Sequence, residues 1–139
     1  MTTFFLEIIT PDRIAFQDQV NMVSVASVTG ILGILPNHVP LFTQLSSGEL
    51  KINQDGKETF ISLGEGYLQI TPEKVTVLVT KALHADELDE QRLLKAKLEA
   101  EEALKNPPTP ESVIATQSVL RGILTDLKVA RRRKSPQIS

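Results

Sequence analysis

Up to about residue 80 the chain alternates apolar and polar residues in short runs, with a turn signal between most of them. "FFLEII" is built from strand formers and stops at Thr10-Pro11-Asp12, a turn sequence. "RIAFQDQV" alternates in part and puts Ile14 and Phe16 on one face. "NMVSVASV" alternates cleanly, with Met22 opposed to Val23 and Val25. "ELKIN" and "TFISL" flank Asp55-Gly56, a strong hairpin turn, and "GYLQI" and "KVTVLVT" flank Thr71-Pro72-Glu73-Lys74. Strands recurring at this spacing predict a β-sandwich or flattened barrel of about ten strands over residues 1–84. One stretch departs from the rule. "GILGILPNHVPLF", from Gly30 to Phe42, is almost wholly apolar yet broken by glycines and prolines. It reads as strand, loop, strand, with some apolar residues left over to touch another protein.

The period changes near Ala82. "ALHADELDEQRLLKAKLEAEEALK" lacks Gly and Pro and is rich in helix formers. Asp86 is the expected N-cap of a helix over about 86–105, and Glu87, Asp89 and Glu90 complement its dipole. Leu93, Ala96, Ala100 and Ala103 form its apolar stripe. "NPPTP" stops this helix, and Thr109 with Pro110 starts a second over about 110–134. Its stripe is Val113, Thr116, Leu120, Ile123, Leu127 and Ala130, spaced alternately by three and four. Residues 85–139 are therefore expected to form an antiparallel αα-hairpin with a frayed tail. Much of its apolar surface is alanine, so the hairpin is marginal without a partner, as a switching element would be.

Composition removes several chemistries. The chain has 139 residues, no Cys and no Trp, and 4% aromatics. Disulfides, thiolate metal sites and cysteine nucleophiles are excluded, and stacking platforms for single-stranded nucleic acid are unsupported. The start lacks a basic n-region, and no run reaches the ~18 apolar residues that a membrane-spanning helix needs. Charge is uneven. Residues 106–139 hold six bases and two acids, while the rest is mildly acidic. A basic end on an acidic protein points to an interacting tail. It could meet phosphate or an acidic protein surface, or simply complement a helix C-terminus. No nucleic-acid fold signature accompanies it.

No active site assembles from these residues. His38 and His84 are the only histidines, too few for a mononuclear zinc site. Ser46 and Ser47 lack a nucleophile elbow, and "GEGY" lacks the Lys-Ser/Thr ending of a phosphate-binding loop. No catalytic residue and no metal ligand is expected, and the chain is not expected to be an enzyme.

Gly33-Ile34-Leu35-Pro36, His38 and Pro40-Leu41 resemble the G-I-L-P-x-H-x-P-L motif of the epsilon subunit of F-type ATP synthase. Thr10-Pro11-Asp12, the Gly64/Gly66 turn and Leu88 to Arg92 fit the same family, as do length and domain order. The resemblance covers nearly the whole chain. It implies a non-catalytic rotor subunit in the central stalk, peripheral to the cytoplasmic face of a bacterial cell membrane through its complex, with a thylakoid setting as the lesser option. The sandwich would bind the gamma subunit at Thr10, His38 and Thr43, and the c-ring at Gly30, Ile31 and Leu32. Ile31 stands where the family often has a polar or acidic residue, which implies an apolar ring contact. In the hydrolysis-blocking state, basic residues of the second helix would meet an acidic loop of the beta subunit within the alpha/beta head. Here these are Arg121, Lys128, Arg131, Arg132, Arg133 and Lys134. Some bacterial relatives bind ATP as a regulatory ligand through an I/L-D-x-x-R-A motif. Asp89 and Arg92 match it, while Leu93 and Glu99 depart from it. An ATP-sensing clamp is accordingly the alternative reading. No other cofactor and no nucleic acid is implied.

Overall fold

The structure is a computed structural model that describes residues 2–106 and 109–132. The chain divides into two compact units between Leu83 and His84.

The first unit is all β. Its strands are β1 Phe4–Ile9, β2 Ile14–Val20, β3 Met22–Ser27, β4 Gly30–Ile34, β5 Leu41–Leu45, β6 Gly48–Gln54, β7 Lys57–Leu63, β8 Gly66–Ile70, β9 Val75–Val79 and β10 Ala82–His84. They form one sheet in the order β10-β7-β6-β3-β5-β8-β9-β1-β2, with β4 paired to β3 alone. All pairs given in register are antiparallel except β1 with β9, which run parallel. The sheet folds over on itself into a near-barrel sandwich. Arg13, just before β2, donates from Nη2 to the Ala82 carbonyl of β10 at 2.8 Å and so ties the two ends of the sheet order together. Gln54 at the end of β6 donates to the Asp18 carboxylate and the Gln19 carbonyl of β2.

The alternation in the sequence dictates the core. Leu6 and Ile8, Val23 and Val25, Leu50 and Ile52, Leu68 and Ile70, and Val75, Val77 and Val79 all point inward and are buried. The core is aliphatic throughout, and Phe4 and Phe16 pack at its edge. The hairpin turn at Asp55-Gly56 takes positive φ at both residues (51° and 84°), as the tight two-residue turn requires. Gly66 is glycine for a different reason. A Cβ there would collide with the Leu78 carbonyl oxygen of the neighbouring strand.

One sequence expectation fails in β2. Ile14 and Phe16 do not share a face. Pairing with β1 jumps from Ile8↔Phe16 to Ile9↔Ile14, so Ala15 is an extra residue. The bulge turns Phe16 toward the core and leaves Ile14 exposed.

The second unit begins with a 3-10 turn over Ala85–Glu87, followed by α1 Glu90–Lys105 and α2 Pro110–Arg132. Asp86 is not the helix N-cap. It sits inside the 3-10 turn, and the chain then extends through Leu88. Asp89 caps α1 instead, its carboxylate accepting from the Gln91 and Arg92 amides. Pro110 does open α2, with the Thr109 hydroxyl accepting from the Ser112 amide at 3.1 Å. Leu93, Ala96 and Ala100 pack with Leu120, Ile123 and Leu127. The expected α1 stripe drifts at its end, where Ala103 is exposed and Leu104 is half-buried. At 3.6 residues per turn the step after Ala100 is four, not three. Among the described residues no helix is long and apolar enough to cross a membrane.

Candidate interaction surfaces

On β5, Leu41, Thr43 and Leu45 share the inward pleat, with Thr43 opposite the buried Leu68. The residues between them face out. Phe42 is 65% exposed, and on the neighbouring β8 Tyr67 is 48% exposed. Their rings stack at 5.5 Å between centroids and 18° between planes. Tyr67 is also paired with Leu78 of β9, 46% exposed. Beside this trio lies a shallow depression of about 390 Å³ lined by Ile9, Thr10, Pro11, Tyr67, Leu78 and Val79, among others. Three large exposed apolar side chains side by side, with Ile9 of β1 paired to Leu78, make a surface that water solvates poorly.

A second apolar point lies at the β3–β4 hairpin. The Ser27 hydroxyl clamps this turn by donating to the Gly30 carbonyl at 2.7 Å. Ile31 is 75% exposed, and Val28 at the tip is also exposed.

The third surface is cationic. Lys97 of α1 and Lys128, Arg131 and Arg132 of α2 border a cleft of about 360 Å³ floored by Leu124 and Leu127. Arg131 Nε donates to Glu90 Oε1 at 3.2 Å, an ion pair joining the last turn of α2 to the first residue of α1.

None of these surfaces has the makings of a reaction centre. Among the described residues, no group of three or more His, Cys, Asp or Glu side chains could hold a metal ion. His38 donates from Nδ1 to the Val39 carbonyl at 2.7 Å, a local contact.

Residues 3–85 match the family model of the ATP synthase delta/epsilon chain β-sandwich domain. The chain belongs to the ATP synthase epsilon chain family. The epsilon chain of Herpetosiphon aurantiacus is 38% identical over 132 residues, covering 95% of this chain and 97% of that one. The epsilon chain of Dehalococcoides mccartyi is 36% identical over 140 residues, covering 99% and 100%. A chain in the structure of the Euglena gracilis mitochondrial ATP synthase (OSCP/F1/c-ring, rotational state 1) has the same fold. It superimposes with a TM-score of 0.80 at 23% identity, over 94% of this chain and 82% of that one. A chain of the Tetrahymena thermophila mitochondrial ATP synthase central stalk/c-ring gives 0.61 at 13% identity, over 93% and 97%. As an epsilon chain the protein is a stalk subunit and not itself an enzyme.

The residues that the epsilon resemblance points to fall in several places. Thr10 is buried, and its hydroxyl is engaged in the turn with Arg13. It lies beyond the C-terminal end of β1. His38 lines a separate cleft with Thr3, Phe4 and Phe5 at the other end of that strand. The six residues of β1 keep the two roughly 20 Å apart. Gly30 and Ile31 are exposed, and Leu32 is half-buried. Adjacent strand residues face opposite ways, and Leu32, opposite Val25, packs on the core. Lys128, Arg131 and Arg132 come together, whereas Arg121 is exposed outside their cleft. Arg133 and Lys134 lie outside the described residues. The Asp89 carboxylate is occupied by two backbone amides, one of them that of Arg92.

Three features escaped the sequence reading: the Phe42–Tyr67–Leu78 face, Lys97, and the Glu90–Arg131 pair. The first left a signal. Tyr67 alternates with the core-type Leu68 and Ile70, so it had to point outward.

Proposed function

We propose that this epsilon chain works as a central-stalk rotor subunit that couples gamma to the c-ring and restrains ATP hydrolysis through its C-terminal helices. The exposed Phe42–Tyr67–Leu78 face carries the reading, because a stable sandwich has no internal use for it. In this reading gamma covers that face, with Thr10 at its edge, and His38 and Thr43 contribute less. Ile31, with Gly30, offers the c-ring an apolar contact at the β3–β4 hairpin. The cations of α2 meet acidic residues of the alpha/beta head in the inhibited state. The complex then holds the chain at the cytoplasmic face of a bacterial membrane as a peripheral component.

Replacing Tyr67 and Leu78 together by serine tests the docking half. Loss of two central anchors should weaken co-purification with gamma by at least about 30-fold, equivalent to ~2 kcal/mol. Undiminished association of the folded variant refutes this gamma face. Deleting residues 85–139 tests the regulatory half, and the ATPase rate of the assembled F1 complex should rise. An unchanged rate removes inhibition from the proposal and leaves coupling standing.

The nucleotide-clamp alternative draws less support, since Asp89 already serves as a helix cap. ATP at millimolar concentration should leave the amide spectrum of α1 unchanged.

A further inference from the structure

A strand edge pairs with other strands unless something blocks it. The sheet order ends at β2 and at β10, and β4 branches off beside β3. Both ends are blocked. Gln54 donates from Nε2 to the Gln19 carbonyl of β2 at 2.8 Å, and the Ala15 bulge bends that strand. Arg13 occupies the Ala82 carbonyl of β10. β4 has neither device. Its register with β3 runs unbroken from Gly30 to Ile34, and the sequence Gly-Ile-Leu-Gly-Ile holds no charge and no proline.

The direction of the β4 backbone follows from its neighbour. The Ser46 amide donates to the Ala26 carbonyl at 3.3 Å, so Ala26 turns its backbone away from β4. Ala26 stands opposite Ile31, and Ser24 opposite Gly33. In an antiparallel ladder such pairs alternate with hydrogen-bonded ones, here Val25 with Leu32 and Val23 with Ile34. Ile31 and Gly33 therefore aim their N–H and C=O groups at the open edge. Among the described residues no hydrogen bond reaches them there.

We propose that the open edge of β4 pairs with the same edge of a second copy of this chain, antiparallel and two-fold about Leu32. The edge is complementary to itself in that register. All five residues overlap, and Ile31 exchanges two backbone hydrogen bonds with the partner's Gly33, which the symmetry repeats. The side chains agree. Ile31 is 75% exposed and would lie over a glycine, beside Met22, which is also exposed. Gly33 leaves room there, since even its nearest neighbour, Met22 Cε, stands 3.6 Å from where a Cβ would be. A five-residue edge covers far less than the ~1,200 Å² of a standard interface, so the pairing is weak and fills only toward about 1 mM chain. The inference goes beyond the stalk role proposed above. With Ile31 on the c-ring in that role, pairing belongs to the chain before assembly.

The test follows the full chain by sedimentation equilibrium and amide hydrogen exchange between about 10 μM and 1 mM. The apparent mass should rise toward that of a dimer. Exchange at the Ile31 and Gly33 amides should slow severalfold over that range, while the Leu32 and Ile34 amides, already bonded to β3, should not respond. Gly33→Pro removes an edge donor that β3 does not use, and Ile31→Lys sets a charge on the edge. Each should weaken pairing at least about tenfold with the sandwich still folded. The proposal is overturned if the chain stays monomeric throughout, if Ile31→Lys pairs undiminished, or if exchange at Ile31 and Gly33 is independent of concentration. A dimer that protects the Tyr67 and Leu78 amides instead lies on another face and overturns it too. None of these readouts involves gamma, the c-ring or F1, so failure here is distinct from failure of the docking and deletion assays.

Discussion

The two units of this chain are built on unequal cores. The sandwich closes over a continuous aliphatic cluster running from Leu6 to Ala82, fed by nearly every strand and stitched across its ends by Arg13 and Gln54. The helical hairpin buries Ala100, Ile123 and Leu127 between its helices, with Leu93, Ala96 and Leu120 at the margin. Alanine lets helices approach but removes little apolar area from water. The first unit therefore has much the larger apolar core, and the hairpin rests on a smaller one. In the role proposed above, attachment would fall to the sandwich and regulation to the hairpin.

The largest test of this contrast is Leu68→Ala in the sandwich. Leu68 is fully buried between β5 and β9, so the cavity should cost about 3–4 kcal/mol and lower the main unfolding midpoint. Leu127→Ala should cost the hairpin about 2 kcal/mol and leave the main sandwich transition in place. Amide exchange along α2 would accelerate roughly 30-fold while the strands stay protected. Equal loss of protection in both units would break the comparison. Asp89→Ala should loosen α1 by about 1 kcal/mol through its lost cap, read as earlier melting of helical circular dichroism. Asp86→Ala should do much less, which separates the two candidate caps.

The smallest effect concerns pH. The Asp18 carboxyl is held below its ordinary range, first by the Gln54 side-chain amide and then by the Gln19 backbone amide. A group with a depressed folded pKa contributes stability above its unfolded value and loses it as pH falls through the folded one. Asp18→Asn should flatten the acid side of the stability profile of the sandwich, and the hairpin should be indifferent. A matching change in α2 exchange at low pH would show that the Asp18 effect is not confined to the sandwich.

How much of this was legible in the sequence follows from the range over which each feature is decided. Strand alternation and the α2 stripe are local, and both are realised. Val23 and Val25 point inward and Met22 outward, and Leu120, Ile123 and Leu127 line the helix contact. The Ala15 bulge is invisible in β2 alone, because it exists only in the register with β1. Asp86 and Asp89 are both acids near a helix start. The choice between them depends on whether the chain leaves β10 through a 3-10 turn, which no single residue announces. The Phe42–Tyr67 stack joins residues 25 apart on strands that are neighbours only through the sheet order. Motif resemblance names Thr10 and His38 together, and the structure places them at opposite ends of β1.

The parallel pairing of β1 with β9 has a consequence for how the chain is made. Leu6 faces Val75 and Ile8 faces Val77, so the first strand synthesised waits for almost the last one before its edge is satisfied. Folding of the sandwich is thus a late, all-or-none event dominated by distant contacts, and it should be slow beside the formation of either helix. A ribosome-bound chain stopped before residue 75 would remain open to proteases. One released just after residue 84 would have every strand that it needs. The boundary at Leu83–His84 then falls where the last strand of the sandwich has just been made.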